Sequence, residues 1–231
     1  MMRRRSALLA ILLTLVLPAR GAASDVDLQL VLAVDSSSSV SMDEYYLQLE
    51  GYAAAFRHPD LLKAIKSGPR RVIAVTLFEW SGPGRQTVNF PWRRLGDAAD
   101  LDAFAAELAV APRLVLGGET AIGDAIDFAL DLFASSAFSG GRRVIDVSGD
   151  GASNQGRTVT AARDDALFQG VVVNGLAVLN EEPDVDTFYY RYVIGGPGAF
   201  VLSARDYSDF ADAILRKLVR EITTIAAAPA R

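Results

Sequence analysis

Apolar positions fall along this chain in two rhythms. Leu28 to Val34, LQLVLAV, is apolar almost without interruption, and Arg71 to Phe78, Val144 to Ser148 and Val171 to Val178 read the same way. Short continuous runs rich in Val, Ile and Leu predict strands buried on both faces. Elsewhere the period lengthens. Ser41 to Phe56 places Tyr45, Leu49, Tyr52 and Phe56 at helical spacing, with Ser41 at the cap position. His58-Pro59 breaks that helix, and Asp60 to Ile65 adds a further helical turn. Asp97 to Leu108 predicts a helix capped by its own Asp97, and Ala121 to Phe133 carries Ile122, Ile126, Ala129, Leu130 and Phe133 on one face.

Further helices are predicted near Thr158 to Phe168 and from Tyr207 to about Ile222, with a short strand near Phe200. The turn Ser81-Gly82-Pro83-Gly84 leads into Gln86 to Trp92, predicted as an edge strand that pairs back antiparallel. Strands alternating with helices predict an α/β fold with right-handed crossovers and a mostly parallel sheet covered on both faces. No internal repeat or linker interrupts it.

The first residues do not belong to that pattern. Arg3, Arg4 and Arg5 precede the apolar stretch Ala7 to Leu17, and Gly21, Ala22 and Ala23 follow. Charged, apolar, then small is the order of a secretory signal, and about eleven apolar residues are too few to span a bilayer. Residues 1–23 are therefore expected to be removed, giving a periplasmic or secreted protein without a stable membrane anchor; an uncleaved anchor is the alternative. Residues 24–225 form one expected domain, and 226–231 a frayed tail.

Losing the leader removes four arginines and no acid, taking the formal charge from -5 to -9. A nucleic-acid role needs a basic footprint and is not expected. Cysteine is absent and His58 is the only histidine, which excludes disulfides, thiolate zinc sites and a cysteine nucleophile.

The candidate chemistry lies where the first run ends. Asp35 closes it, and Ser37 and Ser39 follow at alternate positions, at the carboxyl edge where open α/β sheets bind ligands. One carboxylate and two hydroxyls suit a hard cation such as Mg²⁺, which takes oxygen donors and keeps several waters. The same residues could equally cap the next helix. Two further segments bear on the choice: Leu116-Gly117-Gly118-Glu119-Thr120 before a predicted helix, and Val147-Ser148-Gly149-Asp150-Gly151 at the end of a predicted strand. Thr120 and Asp150 would bring a third hydroxyl and a second carboxylate to the same edge. In isolation, Thr120 also reads as a helix cap and Asp150-Gly151 as a turn.

Taken together, Asp-x-Ser-x-Ser after the first strand, Thr before a helix and Asp-Gly after the fourth strand resemble a von Willebrand factor A domain with a metal-ion-dependent adhesion site. The matching positions are Asp35, Ser37, Ser39, Thr120 and Asp150. The resemblance spans about Asp25 to Ile222. It implies a six-stranded Rossmann-like three-layer sandwich, strand order 3-2-1-4-5-6, with one antiparallel edge strand. It also implies direct coordination of Mg²⁺ or Mn²⁺ by the Ser and Thr hydroxyls, the Asp residues often acting through water. An ion held mainly by neutral donors stays electrophilic and accepts a carboxylate, so the implied partner is a protein presenting Asp or Glu. Arg142 to Gly156, RRVIDVSGDGASNQG, further resembles a group of exported bacterial proteins of this family whose function is uncharacterised.

Three neighbouring acids are read separately. Glu79 and Trp80 are expected to flank the metal face, with Glu79 solvated; Glu119 is expected to face water, the alternative being that it neutralises the ion; Asp146, inside an apolar strand, is read first as structural and paired with an Arg, and second as a ligand acting through water. Enzymatic alternatives fit less well. A haloacid-dehalogenase-like phosphatase also places Asp after its first strand and carries a downstream Gly-Asp-Gly, but its proton-donating second Asp is Ser37 here, and general acid help is typically worth about 10²- to 10⁴-fold. A serine hydrolase would need His58, which precedes a proline in a predicted loop, and no nucleophile elbow is present. A structural domain that keeps the motif without metal is the third alternative.

Overall fold

The computed structural model describes residues 24–224; the expected leader (1–23) and tail (226–231) lie outside the described residues. Strand β1 (Ser24–Asp35) occupies the middle of a six-stranded sheet ordered β3-β2-β1-β4-β5-β6. Its unbroken apolar character follows from that position. Leu28, Leu30, Leu32 and Val34 enter one core, while Val31 and Ala33 enter the other, and both sets are buried. Alternate side chains of a strand point to opposite faces, so a central strand must be apolar at consecutive positions.

Strands β2 (Ile73–Trp80) and β4 (Phe138–Gly149) flank β1 in parallel, followed outward by β5 (Val172–Val178) and β6 (Val201–Ala204). Strand β3 (Gln86–Leu95) pairs antiparallel with β2 at the edge, where it tolerates Pro91 and two irregularities of register. The predicted sheet is therefore the observed one. Strand β4 begins six residues earlier than its apolar stretch, because Phe138 to Gly141 alternate in burial and Phe138 to Arg143 continue the pairing to β1.

One face is covered by α1 (Met42–Arg57), α2 (Pro59–Ser67), α3 (Ala98–Leu108) and α7 (Phe210–Thr223). On the other lie α4 (Ile122–Ala134), α5 (Val159–Phe168), the short α6 (Val185–Phe188) and the π-helical turn Tyr189–Val193 that continues it. Ser41 and Glu44 form a capping box at α1, as do Asp97 and Asp100 at α3. His58 ends α1 and begins α2, its imidazole accepting from the Asp60 amide, so it has a capping role.

Burial corrects two expectations. Glu79 is buried, as is Trp80, which packs into the core between the sheet and α4 and α5 instead of flanking a metal face. Asp146 does pair, but with Lys217 of α7 at 2.5 Å rather than with an Arg; Lys217 also holds Glu221 at 2.6 Å. All three are fully buried, and Asn174 donates to Glu221 at 3.0 Å. Among the described residues, no helix is long and apolar enough to cross a membrane.

Candidate metal site

Three loops meet at the carboxyl ends of β1 and β4. Asp35 is the last residue of β1, Ser37 and Ser39 lie in the turn that leads to α1, Asp150 follows β4 directly, and Thr120 precedes α4. The parallel register of β1 and β4, with Val34 opposite Ser148, brings Asp35 and Asp150 to within one residue of the same height. Four of the five residues then form one hydrogen-bonded chain. The Ser37 amide donates to Asp35 Oδ1 at 2.8 Å, the Ser37 and Ser39 hydroxyls lie 3.2 Å apart, and Ser39 donates to Asp150 Oδ1 at 2.6 Å.

Thr120 joins them through the wall of a cleft of about 240 Å³, lined also by Ser38, Ser39, Asp150, Asn154, Glu181 and Glu182. Its backbone is fixed from both sides: its amide donates to Asn154 Oδ1 at 3.0 Å and its carbonyl accepts from the Asn154 amide at 2.9 Å. Thr120 does not cap α4. The cap residue is Ala121, without a side-chain bond.

Electrostatics at this point are unbalanced. Asp35 is fully buried and its Oδ2 has no partner, an arrangement that is expensive for a carboxylate unless a positive group compensates it. Burial, then the neighbouring Asp150 charge, pushes Asp35 up to about 7. Asp150 is also raised, by burial, although hydrogen bonds from Ser39 and Tyr207 oppose the shift. A cation here would lower both. Among the described residues no three His, Asp or Glu groups gather on one point, so hydroxyl oxygens must make up a donor set at this edge. Two carboxylates with three hydroxyls fit a hard divalent ion.

Arg113, Glu79 and Tyr207 hold the loops, and of these only Glu79 stood out in the sequence. Arg113 spreads its guanidinium across the β1–α1 turn, donating to the carbonyls of Ser36 (2.7 Å), Ser37 (3.1 Å) and Val40 (2.8 Å) and to Ser36 Oγ (2.7 Å). Glu79 anchors the facing loop: it accepts from Tyr45 Oη at 2.6 Å, from the Val115 amide at 2.7 Å, from the Leu114 amide and from Asn89. Tyr207 donates to Asp150 Oδ2 at 3.2 Å. Neither Arg113 nor Tyr207 lies in a motif or at a periodic position that marks it. Glu119 is exposed, as expected.

The family model described as "Protein of unknown function (DUF1194)" matches residues 25–226. The chain belongs to the DUF1194 family. No curated protein matches it. Among solved structures, this DUF1194 chain is similar to proximal thread matrix protein 1 of the mussel byssus, with a TM-score of 0.63 at 18% identity over 87% of this chain and 49% of that one. The DUF1194 chain thus spans about half the length of the byssus protein. One structure of that protein is described as having a zinc-occupied MIDAS motif. A von Willebrand factor type A structure from Catenulispora acidiphila aligns at a TM-score of 0.56 and 15% identity, covering 86% and 43% of the two chains. The pilus adhesin SpaC of Lactobacillus rhamnosus GG gives 0.59 and 15%, covering 86% and 30%. These likenesses show the fold, that of a von Willebrand factor A domain.

Proposed function

We propose that the DUF1194 chain is an exported, divalent-metal-dependent protein-binding module, working in adhesion or assembly and not in catalysis. In this reading residues 1–23 are a cleaved leader, and Asp35, Ser37, Ser39, Thr120 and Asp150 hold one Mg²⁺ or Mn²⁺ ion. The observation that carries it is the unpartnered, fully buried Asp35 Oδ2 beside the Ser37–Ser39–Asp150 hydrogen-bonded chain. The zinc-occupied motif of the byssus protein and the adhesin role named for SpaC support it.

When bound, the ion supplies a positive centre with a coordination position that a partner's Asp or Glu can fill. The chain's own charges make that centre decisive. Asp150, Glu181 and Glu182 line the cleft, and the exported chain would carry a formal charge of -9, so without a cation an acidic partner is repelled. Recognition of such a partner therefore depends on the ion and not on the wider field. The test is the affinity of a partner, once isolated from the exported fraction, with and without chelator. Chelation is expected to abolish binding; equal affinity in both conditions would show that the site does not recognise the partner.

A further inference from the structure

Beneath the site, a second polar atom is buried without a partner. Tyr189 opens the π-helical turn, is completely buried, and makes no hydrogen bond through its hydroxyl. Its position is unusual for a core tyrosine, because the phenol reaches past β5 to the end of β4. Two strand glycines make room for it. A Cβ on Gly175, in the interior of β5, would come within 2.6 Å of the Tyr189 ring, and a Cβ on Gly149 would come within 2.7 Å of its hydroxyl. Glycine inside a strand marks close approach by another group. That same point on Gly149 is 2.7 Å from Asp35 Oδ2, the unpartnered carboxylate oxygen of the site.

The two unsatisfied atoms are therefore neighbours across Gly149, one a hydrogen-bond donor and the other an acceptor. A buried polar atom without a partner is costly, and a donor and an acceptor that both lie 2.7 Å from the same position point to a common use. A π-helical turn, which displaces one side chain from the regular helical path, is a frequent device at functional sites. Here it sets the phenol against the metal edge.

We propose that Tyr189 is a positioning residue for the metal site, its phenol donating to Asp35 Oδ2 directly or through one water and so fixing the carboxylate beside the Ser37 and Ser39 hydroxyls. The inference rests on the metal-binding reading above and deepens it. Oδ1 is held by the Ser37 amide, and a bond from Tyr189 to Oδ2 in the metal-bound state would set the carboxylate plane from both ends. Groups that orient a metal ligand in this way commonly change affinity by about 10- to 100-fold when removed.

The test compares Mn²⁺ affinity by isothermal titration in the full-length protein and in Tyr189→Phe. Phenylalanine keeps the ring and removes only an unpartnered hydroxyl, so the metal-free melting temperature is expected to hold or rise while Mn²⁺ affinity falls about 10- to 100-fold. Wild-type binding of Mn²⁺ with equal affinity in Tyr189→Phe would overturn the role of Tyr189 and leave the metal site standing. Absence of Mn²⁺ binding by the wild type would overturn both.

Discussion

Ser39 donates its hydroxyl hydrogen to Asp150 at 2.6 Å across 111 residues of sequence. One bond joins the turn after β1 to the turn after β4, and the two strands beneath are already in parallel register. The hydroxyl-rich turn and the second carboxylate therefore meet because the sheet order places β4 beside β1. Neither segment makes a site alone.

Metal-free protein is expected to lose stability as pH rises from about 4 to about 7. Burial pushes the Asp35 carboxyl from its ordinary value of 3.8 up to about 7 in the folded state, so in that window the folded protein binds more protons than the unfolded chain. Stability associated with the neutral carboxyl is complete below the lower value and is lost as pH climbs through the higher one, at up to about 1.4 kcal/mol per pH unit. The raised Asp150 acts in the same direction. Urea melts in chelator across this range check the slope. Asp35→Asn is expected to flatten it and to raise metal-free stability at pH 7 by on the order of 1–4 kcal/mol; an unchanged slope in that variant would assign the dependence to other groups.

Thr120→Ala is expected to leave the fold within about 0.5 kcal/mol of wild type while weakening metal-dependent binding, because the backbone of Thr120 carries its contacts to Asn154. Thermal melting in chelator and partner affinity in Mn²⁺ separate the two effects. A large loss of metal-free stability would mean that the hydroxyl serves the fold instead.

Removing Lys217 alone is expected to destabilise the protein by about 3–5 kcal/mol, since Asp146 and Glu221 would remain buried without their cation. The triple variant Lys217→Met/Asp146→Asn/Glu221→Gln is expected to recover most of that loss. Chemical denaturation of both variants checks this, and similar destabilisation in the two would show that packing, not uncompensated charge, dominates.

The sequence made the strands readable for a local reason, and with them the placement of Asp35, Ser37, Ser39 and Asp150 at one edge of the sheet. A central strand must be apolar at successive positions, and Asp35, Ser37, Ser39 and Asp150 follow such runs directly. What stayed hidden depends on distant partners. Lys217 and Glu221 sit four apart on α7 and read as an ordinary exposed helical pair, yet α7 packs that stripe onto the sheet opposite Asp146. Glu79 ends a buried strand before a turn, which suggests solvent, but the 109–121 loop folds over it and supplies two backbone amides. Arg113 lies in that loop among Pro and Leu with no pattern to mark it, and Tyr189 follows a helix too short to show periodicity. Their roles come from tertiary closure, which a single segment does not encode.

The central claim is that Asp35, Ser37, Ser39, Thr120 and Asp150 hold one divalent ion, and thermal melting in chelator, Mg²⁺ and Mn²⁺ tests it most directly. An ion that binds only the folded state stabilises it by RT ln(1 + [L]/Kd), about 2.7 kcal/mol at a hundredfold excess over Kd. The account predicts a melting temperature that rises with millimolar Mg²⁺ or Mn²⁺ in the wild type and does not move in Asp35→Ala. A wild-type melt that is the same in chelator and in both metals would contradict it.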